Sequence, residues 1–213
     1  PAEWVEYLAA SLVAYQDIGY ADRYRQCVAR VAAADARLPT RSGLTESAAR
    51  SLHKLMAYKD EYEVARLHAD PAFRARLERQ FEGPLDLQFH LAPPLLARRD
   101  PATGQPRKRA YGGWMLPVFR MLAPMKRLRG TPFDPFGYTH ERRAEREAVA
   151  AFERTLARIV ADLDASNYAL AVEIAALPLT VRGFGHVKAR SRRAYEEELA
   201  ALLDRFGRDL PVA

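Results

Sequence analysis

Cysteine is nearly absent: Cys27 stands alone in 213 residues. That excludes an internal disulfide framework, a cysteine-ligated zinc site and an iron–sulfur cluster held by this chain alone. No apolar run approaches the roughly 20 residues needed to span a bilayer, and no leader pattern opens the chain. The expectation is a cytoplasmic protein with no membrane partner. The five histidines (His53, His68, His90, His140 and His186) lack metal-site spacing, and no two stand at i, i+4 around a glutamate. A Gly-rich loop followed by lysine, a Walker pattern, a nucleophile elbow and a paired catalytic Asp and Asn are all missing. There is no repeat of fixed period. The first residue is Pro1 and not Met, which fits a piece of a longer polypeptide or a processed product.

What is present is ordinary globular composition, with 49% apolar and 28% charged residues, enough for a sizeable core. The charge is uneven. Lys and Arg number 33 against 27 Asp and Glu, a net +6. Between Leu85 and Gly137 nine basic residues face three acidic ones, so this stretch carries the whole excess and the remainder balances at 24 of each. Eight of the 14 prolines fall in the same stretch. The reading is mainly α: a single helical domain over 1–213 with a Pro-rich basic insert at 85–137 that contains a small β-hairpin.

Helical spacing carries the flanks. Trp4, Leu8, Leu12, Tyr15 and Ile18, then Tyr24, Val28 and Val31, predict helix from Ala2 to about Ala36, with a bend or break at Gly19. Thr45 is the expected cap of a helix that runs on through Leu52, Leu55, Met56, Tyr62 and Leu67 to about His68. Asp70-Pro71 signals another start, followed by Phe73, Leu77 and Phe81 and stopped by Gly83-Pro84. After the middle, Thr139 caps a long helix carrying Phe152, Leu156, Ile159 and Leu163. Ser166 or Asn167 starts a short helix ended by Pro178, and a last helix begins near Val187. Period-two alternation over Leu85–Leu91 predicts one strand, and Arg107–Tyr111 its return beyond a turn at Asp100–Gly104. Trp114–Leu128 reads as a methionine-rich helix that Pro124 should kink or shorten.

Each chemical motif has a bland reading beside it. Thr131–Gly137 reads as a structured turn with two buried phenylalanines. Arg182–Lys188 places Gly183 and Gly185 before a helix N-terminus, where Arg182, His186 and Lys188 would surround an anion. The other reading is a turn in which Phe184 plugs the core. Lys54–Glu63 reads as a solvated or ion-paired helix face, with Lys59 and Glu63 four apart. Asp60 and Glu61 could do acid–base work only if burial shifted them. His90 lies on the polar face of its strand, and Cys27 reads as a small core residue. The basic middle fits phosphate, but no nucleic-acid reader module is present, and an acidic protein surface or a phosphate-bearing cofactor fits equally well.

Several long strings in this order resemble the C-terminal domain of the indolepyruvate ferredoxin oxidoreductase family. They are Lys54-Leu55-Met56-Ala57-Tyr58-Lys59-Asp60-Glu61-Tyr62-Glu63-Val64-Ala65-Arg66, Phe89-His90-Leu91-Ala92-Pro93-Pro94, Leu128-Arg129-Gly130-Thr131 with Asp134-Pro135-Phe136-Gly137, and Arg182-Gly183-Phe184-Gly185-His186-Val187-Lys188. The resemblance implies a long polypeptide that oxidatively decarboxylates aryl or branched 2-oxoacids to acyl-CoA. Electrons would pass to a ferredoxin-like acceptor through thiamine diphosphate, Mg and iron–sulfur clusters. This segment has no Gly-Asp-Gly with a downstream Asn-Asn pair for Mg and diphosphate. No cofactor is therefore expected on it, and the catalytic domains of the same polypeptide would lie before Pro1. No catalytic residue carries over. The expected role is structural or docking, without independent catalysis. The candidate anion-binding or interface residues are Lys54, Lys59, His90, Arg129, Arg182, Gly183, Gly185, His186 and Lys188, with Asp60, Glu61 and Asp134 neutralising part of the charge. The alternative is a stand-alone basic module for an acidic protein or, less favoured, nucleic acid.

Overall fold

A computed structural model describes residues 2–38, 43–92, 107, 109–183 and 185–208. Helices α1 (Ala2–Tyr15), α2 (Ile18–Asp35), α3 (Leu44–Met56), α4 (Glu61–Ala69) and α5 (Pro71–Gln80) lead to a hairpin of β1 (Phe89–Leu91) and β2 (Arg109–Tyr111). Then come α6 (Met115–Leu122), a 3-10 helix over Ala123–Leu128, α7 (His140–Asp162), α8 (Tyr168–Ala176), a 3-10 helix over Leu177–Thr180 and α9 (Gly185–Arg208). The protein is mainly α with one small antiparallel hairpin. It divides into two units: Pro1–Tyr58 with Ala144–Ala213, and Lys59–Arg143. The basic stretch at 85–137 falls wholly inside the second.

The first unit is built around an extensive apolar core. Leu12, Tyr24, Leu52, Met56, Phe152, Leu156, Ile159, Ile174 and Phe206 are fully or almost fully buried in one cluster, at the spacings that the sequence presents. Cys27 belongs to it as a free, buried thiol. The break between α1 and α2 lies two residues before the expected Gly19. Asp17 caps α2 by accepting from the Tyr20 amide at 2.8 Å, and a carboxylate at the cap outweighs a flexible glycine two residues on. Thr45 is not a cap either. Gly43, at φ +107°, turns the chain into α3, while the Thr45 amide and hydroxyl both donate to Asp35 at 3.1 and 2.6 Å. The Tyr168 hydroxyl donates to the same carboxylate at 2.7 Å, so Asp35 ties the end of α2 to α3 and α8. Three tyrosines donate to carbonyls in or after α3: Tyr15 to Tyr58, Tyr20 to Met56 and Tyr24 to Ala49.

The second unit departs further from expectation. A helix running unbroken from Thr45 to His68 is not formed. It stops at Met56, and Asp60 starts α4 afresh by accepting from the Glu63 amide at 2.8 Å. Asp70 and Pro71 start α5 as the sequence signals, but no residue of α5 is buried. Pro117 sits in the first turn of α6, and the α-helix gives way to 3-10 geometry at Pro124, where no N–H is available. The hairpin pairs Phe89 with Tyr111, His90 with Ala110 and Leu91 with Arg109. It is shorter than the alternation over Leu85–Leu91 predicts. In that register Leu87 and Gln88 would need Gly113 and Gly112 as partners, and there the chain turns into α6. The turn expected at Asp100–Gly104 lies outside the described residues. The apolar cluster is small: Ala65, Phe89, Met115 and Phe119 are its buried members. His68 stacks on Phe119 at 5.1 Å and meets Phe73 and Phe89 edge-on.

Candidate functional site

The candidate basic residues fall into both units. In the second unit, Arg129 is buried and binds the carboxylate of Asp60 through two bonds, Nε to Oδ2 at 2.6 Å and a terminal guanidinium nitrogen to Oδ1 at 2.8 Å. Both side chains are only 3% exposed. Asp60 therefore caps α4 and neutralises Arg129 at once. The guanidinium also lies over the Tyr62 ring, 5.5 Å from its centroid. The Tyr62 hydroxyl donates to Asp134 at 2.9 Å, and burial followed by this carboxylate pushes its pKa well above the usual range. Asp134 is itself buried and accepts from the amides of Gly130 and Phe136, both at 3.1 Å. A Cβ at Gly137 would stand 2.6 Å from that carboxylate, so the position suits glycine alone.

This network corrects two expectations. The Thr131–Gly137 turn does not bury two phenylalanines. Phe136 is half-buried against Tyr62, whereas Phe133 is 80% exposed, and the buried anchor is Asp134. Lys59 and Glu63 do not share a helix face, because Lys59 precedes α4 and Glu63 pairs with Arg66 at 2.7 Å. Lys59 and His90 are exposed, His90 on the polar side of β1 as its alternation implies. Glu61 faces Arg142 at 3.4 Å. Burial lowers the Lys126 pKa, and the nearby Arg66, Arg129 and Arg127 lower it further.

In the first unit, Lys54 donates to three backbone carbonyls, of Pro178 at 3.0 Å, Leu179 at 2.9 Å and Val181 at 2.7 Å. An ammonium has three protons, and all three are committed. Burial holds its pKa below the ordinary range, and Arg182 and Lys188 add to the lowering. Lys188 pairs with Glu145. Gly183 has φ +93°, and a Cβ there would meet Val187 at 2.6 Å, so this glycine permits the tight entry to α9. The Arg182 amide donates to the Ser191 hydroxyl at 3.1 Å, and its side chain is exposed. Gly185 opens α9; Phe184 and the side chain of His186 lie outside the described residues.

Lys54, Arg182 and Lys188 are thus near neighbours, while Lys59, His90 and Arg129 belong to the other unit. The strings conspicuous in the sequence are used chiefly on internal polar ties. Lys54 holds the turn before α9, Lys188 meets Glu145, and Arg129 and Asp134 hold the loop after the second unit's 3-10 helix. Sequence reasoning singled out Arg129 and named Asp60 among the acids that would neutralise the basic set, without pairing the two. A further pair, Ser11 and His53, has Oγ and Nε2 2.6 Å apart; the Ser11 hydroxyl also donates to the Leu8 carbonyl, and burial lowers the His53 pKa.

The single thiol is a core residue, and among the described residues no group of three or more His, Cys, Asp or Glu side chains is arranged for a metal. Among them, too, no helix is long and apolar enough to cross a membrane. Compared with known proteins, residues 1–201 match the model of a family described only as a family of unknown function, DUF6537. No curated protein and no solved structure matches the chain.

Proposed function

We propose that this chain, which belongs to the DUF6537 family, is the accessory C-terminal domain of an indolepyruvate ferredoxin oxidoreductase-like enzyme. In this reading it works in the cytoplasm beside the catalytic domains of its own polypeptide. Those domains bind thiamine diphosphate, Mg and the iron–sulfur clusters, and act on an aryl or branched 2-oxoacid, CoA and a ferredoxin-like acceptor. The role of this chain is structural and docking.

One observation carries the non-catalytic part of the reading. Four charged residues of the distinctive strings are committed to the fold, Lys54 to three carbonyls, Arg129 to Asp60, Asp134 to Tyr62 and two amides, and Lys188 to Glu145, while Lys59, His90 and Arg182 are exposed. A charged group whose bonds are made to its own chain, as for the buried Arg129 and Asp134, supports architecture before it can serve a substrate. The test is to assay the natural polypeptide that carries this sequence for CoA-dependent reduction of a ferredoxin-type acceptor, with aryl and branched 2-oxoacids. Turnover by the whole polypeptide and none by residues 1–213 is expected. A natural polypeptide that turns over none of these acids overturns the reading.

The stand-alone alternative draws on charge. The second unit contains 16 basic and 10 acidic residues, the first 17 of each, and Arg107, Arg109, Arg120 and Arg127 are exposed. Binding of duplex or single-stranded nucleic acid by residues 1–213, weakening steeply with added salt, would favour that alternative.

A further inference from the structure

Helix α6 is apolar on both of its sides. Met115 and Phe119 face the buried cluster with Ala65 and Phe89. Trp114, Pro117 and Met121, spaced at i, i+3 and i+7, are exposed, Trp114 at 62% and Met121 at 66%. Pro124 continues the exposed row into the 3-10 helix. Apart from Arg120, the helix shows apolar surface that its own unit leaves uncovered.

Along the chain that forms this row the charge has one sign. From Trp114 to Phe133 there is no acidic residue, and the cations are Arg120, Lys126, Arg127 and Arg129. Arg129 is neutralised by Asp60, but Arg120 and Arg127 are exposed. α4 packs on α6, and its acids are already paired, Glu61 with Arg142 and Glu63 with Arg66. A surface that covers this row must be apolar at its centre and acidic at its rim.

We propose that the outward face of α6, centred on Trp114 and Met121, docks into an apolar groove rimmed by carboxylates on the catalytic domains of the same polypeptide. This rests on the accessory-domain reading above. The face has the make-up of a protein interface: a tryptophan and a methionine at its centre, an arginine beside them, and no lysine or acid on the helix. A phosphate backbone would call for a row of cations, and the helix has one, Arg120. A helix lying on a lipid surface would need a polar, basic side opposite its apolar one, and here the opposite side is buried with Met115 and Phe119.

Residues 1–213 hold two tryptophans, Trp4 and Trp114, and tryptophans of further domains also emit, so Trp114 is read in either form as the difference between the protein and its Trp114→Phe variant. Acrylamide quenching of Trp114 is compared between the whole natural polypeptide and residues 1–213. Docking gives blue-shifted emission and roughly threefold weaker quenching in the whole polypeptide, as for a side chain moved from water into a desolvated pocket. Met121→Glu or Arg120→Glu in the whole polypeptide returns Trp114 toward the exposed values with circular dichroism unchanged. Catalytic domains present but Trp114 equally quenchable in both forms overturns the docking and leaves the accessory-domain reading intact. A natural polypeptide without further domains overturns both. Protection of Trp114 in residues 1–213 by phosphatidylserine vesicles, by single-stranded DNA or by raised concentration of the chain itself also overturns the proposal, and assigns the face to lipid, nucleic acid or a second copy.

Discussion

The two units of this protein solve the same problem with different means. The first buries a large apolar cluster contributed by six helices and uses polar groups at its margins, where tyrosine hydroxyls and Asp35 meet backbone and neighbouring helices. It carries no net charge. The second has four buried apolar side chains in its cluster and places a bidentate ion pair and a fully bonded carboxylate in its interior. It carries the entire +6. Apolar burial is tolerant of detail, because a neighbouring side chain of similar volume substitutes at modest cost. A buried ion pair is not tolerant, because removing either partner strands the other in a dry site. The second unit is therefore the one whose local sequence is narrowly prescribed.

Three experiments break or sharpen this contrast, with Trp4 reporting the first unit and Trp114 the second. The largest effect is expected from Arg129→Ala, which leaves Asp60 buried and unpaired at a cost of about 3–5 kcal/mol. In urea the Trp114 transition should then move well ahead of the Trp4 transition; transitions that shift together would abolish the distinction. Asp60→Leu with Arg129→Met should recover most of the loss, short of about 1 kcal/mol for the lost cap on α4. Tyr62→Phe should cost less, about 1.5–3 kcal/mol, because Asp134 keeps its two amide donors and loses one charged hydrogen bond. An unchanged denaturation midpoint would remove Asp134 from the interior network.

The smallest effect concerns pH. Burial lowers the His68 pKa below its ordinary 6.5, the positive charge of Lys59 adds to this, and Nδ1 is buried without a partner. A base with a depressed folded pKa binds its proton more readily when unfolded, so its contribution is present above 6.5 and is lost as pH falls from 6.5 toward the folded value. The Trp114 transition should weaken over that range, and His68→Phe should flatten it. His53, also depressed by burial, lies in the first unit, so the Trp4 transition should keep its slope in the His68→Phe variant. Equal flattening of both would contradict the assignment.

Much of the fold was legible because most of it rests on signals within one turn of helix. Asp70 and Thr139 act through bonds to residues two and three away, Pro124 through the N–H it lacks, and each behaves as its sequence predicts. The core of the first unit follows from spacings of three and four. The misplaced boundaries have two causes. At Asp17 and Asp60 a cap competes with an otherwise continuous apolar pattern, and at Gly43 a positive φ starts the helix ahead of the hydroxyl that would cap it. The candidate site was less legible, because its bonds are long in sequence. Asp60 meets Arg129 across 69 residues and Lys54 meets Val181 across 127. Nothing local distinguishes a cation that waits for a ligand from one that has a distant partner.

The path of the chain has a consequence for its synthesis. The first unit is discontinuous, with the 85 residues Lys59–Arg143 lying between its halves. α1, α2 and α3 emerge from the ribosome with Leu12, Tyr24 and Leu52 uncovered, and their covering residues Phe152, Leu156 and Ile174 do not yet exist. At about 5–20 residues per second the wait lasts several seconds, far longer than helices need to form. The second unit, continuous in sequence, is translated in full before the first can close. For that interval the nascent chain carries an open apolar surface whose own covering helices are not yet made, the condition in which chaperones engage a chain.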